Sequence, residues 1–198
     1  MATLTTLFWD VGGVLLTNGW DIKARHHASE RFELDWQDFQ RRHEEIVRDF
    51  EEGRVSLDTY IDTVVFHQPR TYARNEFREF MLRQSQSLEG LLIVKGLVGK
   101  YTLATLNNES RELNLHRIAT FDLPKYFSAF FSSSFLGVSK PHAKIYGAAL
   151  DITQRVPEEC LFIDDRAANL DPSQRLGMRT LHYQNATQCR RELARFGV

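Results

Sequence analysis

The stretch LFWDVGGVLL, residues 7–16, constrains this chain more than any other. Leu4 to Trp9 carries too little polarity for a surface helix and reads as a buried strand, over about residues 4–10. Asp10 places a charge directly after it. Inside a strand an unpartnered carboxylate is costly. At the strand's carboxyl end, where Gly12-Gly13 turns the chain, it faces the crevice in which open α/β sheets bind ligands. The plainer reading is a turn carboxylate capping local N–H groups. A second stretch weighs against it: LFIDD, residues 161–165, is another apolar run, ending in Asp164-Asp165. Side by side, the two strands bring three carboxylates to one sheet edge, where they repel and raise one another's pKa. A hard cation relieves this, and Mg²⁺ takes oxygen ligands while keeping several waters.

Between these stretches the pattern changes. Residues 21–33 suit a helix. Asp35 is placed to cap the next, with Trp36, Phe39, His43, Ile46, Val47 and Phe50 at three- and four-residue spacings and Gly53 at its end. Ser56 caps a third helix carrying Leu57, Tyr60, Ile61, Val64 and Val65, and residues 72–86 form a fourth. Four amphipathic helices with no strand between them predict a small bundle inserted over residues 17–88. The remainder alternates: helix 89–99, strand 101–107, helix 109–121, strand 127–133, helix 142–150, the LFIDD strand, a helix through Leu176, strand 179–184 and helix 186–196. That alternation predicts an α/β fold, a Rossmann-like parallel sheet formed by residues 1–16 and 89–198.

The net charge of −1 supplies no field for nucleic acid or an anionic membrane. The start MATLTTLFWD has no basic segment before an apolar one, and no apolar run reaches 18 residues, so neither a signal peptide nor a membrane span is expected. Cys160 and Cys189 are too few for a disulfide framework, and a cytoplasmic setting is the expectation.

Four landmarks in order, DVGGV at 10–14, LNN at 106–108, KPHAKIY at 140–146 and LFIDDRAANL at 161–170, resemble the haloacid dehalogenase superfamily, most of whose members are phosphatases. The branch with a helical cap, which includes the N-terminal phosphatase domains of soluble epoxide hydrolases, is the most similar. The resemblance implies a Mg²⁺-dependent phosphatase for a small phosphorylated metabolite. Asp10 would be the nucleophile, forming an aspartyl phosphate. Asp164 and Asp165 would bind the metal with Asp10 and the Gly12 carbonyl, Asp165 directly and Asp164 through water. Lys140 would neutralise phosphate and nucleophile. Asn107 and Asn108 would bind phosphate in place of the family's usual Ser or Thr.

Gly12 departs from that pattern. The family's phosphatases carry a second Asp two places after the nucleophile, which protonates the leaving oxygen and later activates water. Losing such a group costs roughly 10²–10⁴-fold, so low or selective activity is expected. Three readings stay open: His26, His27 or an acidic residue of the helical insert replaces the acid; the enzyme is slow or restricted to good leaving groups; or the chain binds phosphate or a partner without catalysis. Dehalogenases also lack that Asp but usually lack a full acidic pair, so Asp164-Asp165 argues against them. Phosphonate-cleaving members use a cap lysine, and Lys23 is the only lysine in the insert. Trp20 is a candidate for the substrate entrance, Arg111 and Arg166 for contact with an anionic substrate. Asn169 and Asp171 read as helix caps, Asn169 also as a support for the acidic loop.

Overall fold

The computed structural model describes residues 2–198. Five strands, β1 (Thr6–Trp9), β2 (Thr102–Asn107), β3 (Ala129–Ser132), β4 (Cys160–Asp164) and β5 (Arg179–His182), form one parallel sheet in the order β3-β2-β1-β4-β5. β1 lies between β2 and β4, with Trp9 opposite both Thr105 and Ile163. The chain builds outward from β1 to one side through β2 and β3, and to the other through β4 and β5. The loops after β1 and its neighbours therefore diverge, and a crevice opens at the carboxyl ends of the strands.

β1 and β4 are buried at every position, which is why neither shows polar alternation. Their side chains still alternate between faces. Leu7, Trp9, Leu161 and Ile163 pack on the face covered by α5 (Glu89–Lys95) and α10 (Ala186–Arg195). Phe8 and Phe162 pack on the opposite face, with Ile145, Tyr146 and Ala149 of α8 (Ala143–Thr153) and Leu170 of α9 (Ala167–Arg175). Full burial of each large apolar side chain contributes about 1.5–3 kcal/mol. The stiff two-sided core is what holds Asp10 and Asp164 in place.

Four helices follow β1 with no strand among them: α1 (Ile22–Arg31), α2 (Trp36–Glu51), α3 (Leu57–Val64) and α4 (Arg74–Leu82). Asp21, Asp35 and Ser56 cap the first three, accepting from Ala24 N at 2.9 Å, Asp38 N at 2.9 Å and Thr59 N at 3.1 Å. They enclose an apolar cluster of their own, in which Trp20 meets Phe77 edge-on at 5.9 Å. That cluster also takes in Leu113 of α6 (Arg111–Thr120), so the helical lobe is seated on the sheet domain. The chain leaves and re-enters at adjacent points: Leu16 bridges Ser87, and Thr17 N donates to Gln86 O at 2.8 Å.

Three local expectations need correction. The helix expected over 72–86 ends at Leu82, because Gln84 and Gln86 leave it to pair with Thr17. The strand expected over 127–133 ends at Ser132, where a short helix, α7 (Ser133–Leu136), begins. Asn169 and Asp171 do not cap: α9 starts earlier, with Arg166 at its N-cap, and both residues lie inside it. No helix among the described residues is long and apolar enough to cross a membrane.

Candidate active site

Asp10 is the first residue past β1, its N–H still donating to Ile163 O at 2.8 Å. Its Oδ1 accepts from Val11 N at 2.7 Å and lies 2.9 Å from Lys140 Nζ. Lys140 is buried and all three of its ammonium donors are used: on Asp10, on Asp164 Oδ2 at 2.6 Å and on Leu106 O at 2.9 Å. Asp164, fully buried at the end of β4, also accepts from Arg166 N at 2.8 Å and from Asn169 Nδ2 at 3.0 Å. Asn169 thus steadies the acidic loop as expected, by reaching back from the first turn of α9. Asn108 clamps the lysine loop, donating to Lys140 O at 2.9 Å and accepting from Lys140 N at 2.8 Å.

Asp165 behaves differently. Its Oδ1 is buried and has no hydrogen-bond partner among the described residues. Oxygens of Asp10, Asp164 and Asp165 all lie within 4.8 Å of one another. Gly13 makes this approach possible: it has φ +75°, and a Cβ there would run into Asp165 Oδ2. Burial raises the Asp165 carboxyl pKa, and Asp164 raises it further. Burial also raises Asp10, against Lys140, which lowers it. Lys140 itself is raised, because Asp10 and Asp164 outweigh the burial that disfavours its charge. Two of the three carboxylates share one ammonium, an oxygen of the third is orphaned, and the Gly12 carbonyl takes no backbone hydrogen bond among the described residues. This all-oxygen donor set fits Mg²⁺.

A family model described as haloacid dehalogenase-like hydrolase matches residues 4–177, which spans all of these groups. The chain belongs to the haloacid dehalogenase-like hydrolases. A HAD family enzyme of Bacteroides thetaiotaomicron has the same fold, with TM-score 0.81 and 19% identity over 93% of this chain and 96% of that one. Its structure in complex with magnesium and inorganic phosphate gives TM-score 0.78 at 21% identity, over 92% of this chain and 96% of that one. L-2-haloacid dehalogenase of Xanthobacter autotrophicus is more distant, with TM-score 0.63 and 15% identity over 97% and 83%. Mouse bifunctional epoxide hydrolase 2 is 35% identical over 72 residues, which are 36% of this chain and 13% of that protein.

In this haloacid dehalogenase-like hydrolase a cavity of about 480 Å³ lies between the sheet edge and the helical lobe. Asp10, Gly12, Asn108, Lys140, Arg166 and Asn169 line it from the sheet side. Asn107, expected at the phosphate, does not: it is buried and its amide donates to Asn114 Oδ1 of α6 at 3.0 Å. Arg111 is likewise outside the lining, its guanidinium over the Phe135 ring at 5.3 Å. His26 stacks on Trp36, His27 meets Phe80, and Lys23 is exposed; none of the three lines the cavity. Trp20 does line it, while its Nε1 donates to Tyr60 Oη at 2.8 Å.

The helical wall carries groups that motif reading missed. Arg25 is buried, its Nη1 on Trp20 O at 2.7 Å. His43 lies 2.7 Å from Tyr60 Oη through Nδ1, and burial pushes its pKa down to about 3, so the ring is neutral. Glu51 sits on the last turn of α2, and burial pushes its carboxyl up to about 7. A signal for Glu51 was present: Phe39, His43, Val47 and Glu51 are spaced by four residues and share one helical face. An acid on that inward stripe is out of place unless it faces a cavity.

Proposed function

We propose that the protein is a Mg²⁺-dependent phosphatase that acts on a small phosphorylated metabolite through an aspartyl phosphate. The observation that carries this reading is the placement of Asp10 at 2.9 Å from a buried lysine, with the oxygens of two further acids within 4.8 Å. Asp10 attacks phosphorus, its negative charge and that of the phosphoryl group being offset by Lys140. Asp164, Asp165, Asp10 and the Gly12 carbonyl would hold Mg²⁺, which supplies electrostatic neutralisation of the phosphoryl oxygens. Asn108 faces the same space and keeps one amide N–H beyond the one it gives Lys140 O, while Asn107 is bonded to Asn114 of α6. Residues 17–88 form the cap and residues 1–16 with 89–198 the catalytic domain.

Gly12 gives the β1 loop no side chain that can move a proton, so turnover depends on the substrate's leaving group or on what the cap brings. In addition, a Cβ at Gly12 would lie 2.6 Å from Asn18 Oδ1, so the amide of Asn18 fills part of the space where an acid would stand. That observation favours the one competing reading, a non-catalytic phosphate-binding protein. Assay of a panel of phosphorylated metabolites with and without Mg²⁺, in wild type and Asp10→Asn, separates the two. Metal-dependent release of phosphate, lost in the variant, is the expected result. Tight binding of Mg²⁺ and beryllium fluoride with no turnover on any substrate would establish the competing reading.

A further inference from the structure

A hydrolytic site with Gly12 beside its nucleophile has to find its proton donor elsewhere. Four carboxyl groups line the cavity, and three are committed. Asp10 is held by Lys140, Asp21 caps α1 through Ala24 N, and Glu109 is paired with Arg117 Nη1 at 2.8 Å. Glu51 alone of the four has no hydrogen bond or ion pair to its carboxyl among the described residues. Its backbone, by contrast, is pinned. Ser133 Oγ donates to Glu51 O at 2.6 Å and itself accepts from Glu109 N at 3.0 Å, tying the end of α2 to the loop after β2. Gly53 closes the helix with φ +73° and packs so closely on Ser134 O that a Cβ would not fit. A free carboxyl is thus carried on a fixed backbone, on the helical wall of the cavity whose sheet side holds Asp10.

Phosphoryl transfer needs its proton donor on a different side of the substrate from its nucleophile. Attacking and leaving oxygens lie roughly in line through phosphorus, so the leaving oxygen points away from Asp10 and toward the helical lobe. On the basis of the phosphatase reading, we propose that Glu51 is the acid–base residue of this site, acting from the cap in place of the residue that Gly12 lacks. Asp10 Oδ attacks phosphorus and the ester P–O bond breaks. The protonated Glu51 gives its proton to the departing oxygen, so the alcohol leaves neutral and Glu51 becomes a carboxylate. That carboxylate then takes a proton from water as the water oxygen attacks the phosphoaspartate. The Asp10–phosphorus bond breaks, inorganic phosphate is released, and Glu51 regains its proton. The groups around Glu51 suit both roles: Glu109 and Glu52 with burial favour the protonated form, while Arg166 and Arg25 favour the carboxylate. An acid that titrates close to the working pH serves best as both donor and acceptor.

Glu51→Gln, Glu51→Asp and Asp10→Asn tested with an alkyl phosphate and with p-nitrophenyl phosphate decide the matter. Glu51→Gln is expected to lower kcat on the alkyl ester by roughly 10² or more. On the aryl ester it should give a burst of about one p-nitrophenolate per site and then a slow phase, because phenolate leaves without a proton but the phosphoaspartate still lacks its base. The fall of wild-type kcat above neutral pH on the alkyl ester should disappear in Glu51→Gln. Glu51→Asp should recover part of the rate, and Gly12→Asp introduced into Glu51→Gln should recover more. Beryllium fluoride binding with Mg²⁺ reports that the Glu51 variants are folded, and a thermal melt reports it for Asp10→Asn, which lacks the carboxylate that beryllium fluoride joins. A folded Glu51→Gln with wild-type kcat on the alkyl ester and no aryl burst, beside an inactive Asp10→Asn, overturns the Glu51 assignment alone. A wild type without Mg²⁺-dependent turnover on any ester overturns the phosphatase reading and the assignment together.

Discussion

The two walls of the cavity hold their charges in opposite ways. On the sheet side the fully buried charges have named partners: Lys140 spends three donors on Asp10, Asp164 and a carbonyl, and Asp164 is surrounded by Lys140, Arg166 N and Asn169. On the helical side Glu51 has none, and the neutral His43 and buried Arg25 are fixed by other cap residues. The sheet side is built to keep charges in place, and among its three clustered carboxylates only Asp165 leaves a buried oxygen without a partner among the described residues. The helical side keeps a group free to gain and lose a proton. Chemistry that forms a covalent bond on a fixed atom and moves protons around it needs one wall of each kind.

The largest expected effect comes from breaking the fixed wall at its reactive atom. Asp10→Asn should remove turnover by several orders of magnitude, since an amide is no nucleophile toward phosphorus. Phosphate release measured over hours at high enzyme concentration checks it, and residual turnover near the wild-type rate would mean that another group attacks.

Lys140→Met should cost stability as well as activity. It leaves Asp10 and Asp164 buried without their shared cation, and breaking a buried ion pair costs roughly 3–5 kcal/mol. Because the loss is electrostatic, saturating Mg²⁺ should restore part of it, whereas no comparable rescue is expected after an apolar deletion such as Phe77→Ala in the helical lobe. Denaturant melts of both variants with and without Mg²⁺ make the comparison; equal metal response in the two would show that Lys140 supports packing and not charge.

Asp165→Ala probes the orphaned oxygen. In the wild type, Mg²⁺ at a hundred times its Kd should stabilise the protein by about 2.7 kcal/mol through linkage. The variant should lose most of that response while its metal-free Tm stays close to the wild type, because Asp165 Oδ1 holds no other group. A full Mg²⁺ shift in the variant would place the metal elsewhere.

The same division between walls governs what was legible in the sequence. Asp10, Lys140, Asp164 and Asp165 stand at strand ends or after loops, where a charge following a buried run has few structural excuses, and all four meet at one edge. Strand order was not legible, because strands buried on both faces carry no register in their pattern. Asn107 and Asn108 could not be told apart, since neighbouring residues at a strand end point different ways: Asn107 turned to Asn114 and Asn108 to the cavity. The start of α9 was misplaced because the side chain of Asn169, which reads as a cap, is drawn to Asp164 instead. Glu51 was hidden by its neighbourhood: EEG at a helix end looks like solvated surface, and only the four-residue spacing from His43 and Val47 shows that Glu51 shares their inward face.

The smallest effect expected is a change in the shape of a stability curve, and it tests the free wall directly. Glu51 titrates at about 7 in the folded protein against an ordinary value of 4.5, chiefly because of burial. The folded state therefore keeps a proton that the unfolded chain releases between those two values. Below pH 4.5 both states hold it and nothing is lost; as pH rises to about 7 the folded state is progressively penalised, and above that the penalty is constant. Glu51→Gln removes the penalty. The variant should match the wild type near pH 4 and exceed it near pH 8 by an amount on the order of 1–3 kcal/mol. The gain should develop within that window and nowhere else, because the ionisations on the sheet side are common to both proteins and cancel in the difference. Urea melts at half-unit pH intervals without Mg²⁺ would show it. Parallel curves for the two proteins would mean that Glu51 is charged at neutral pH, and the free wall would then hold no proton to give.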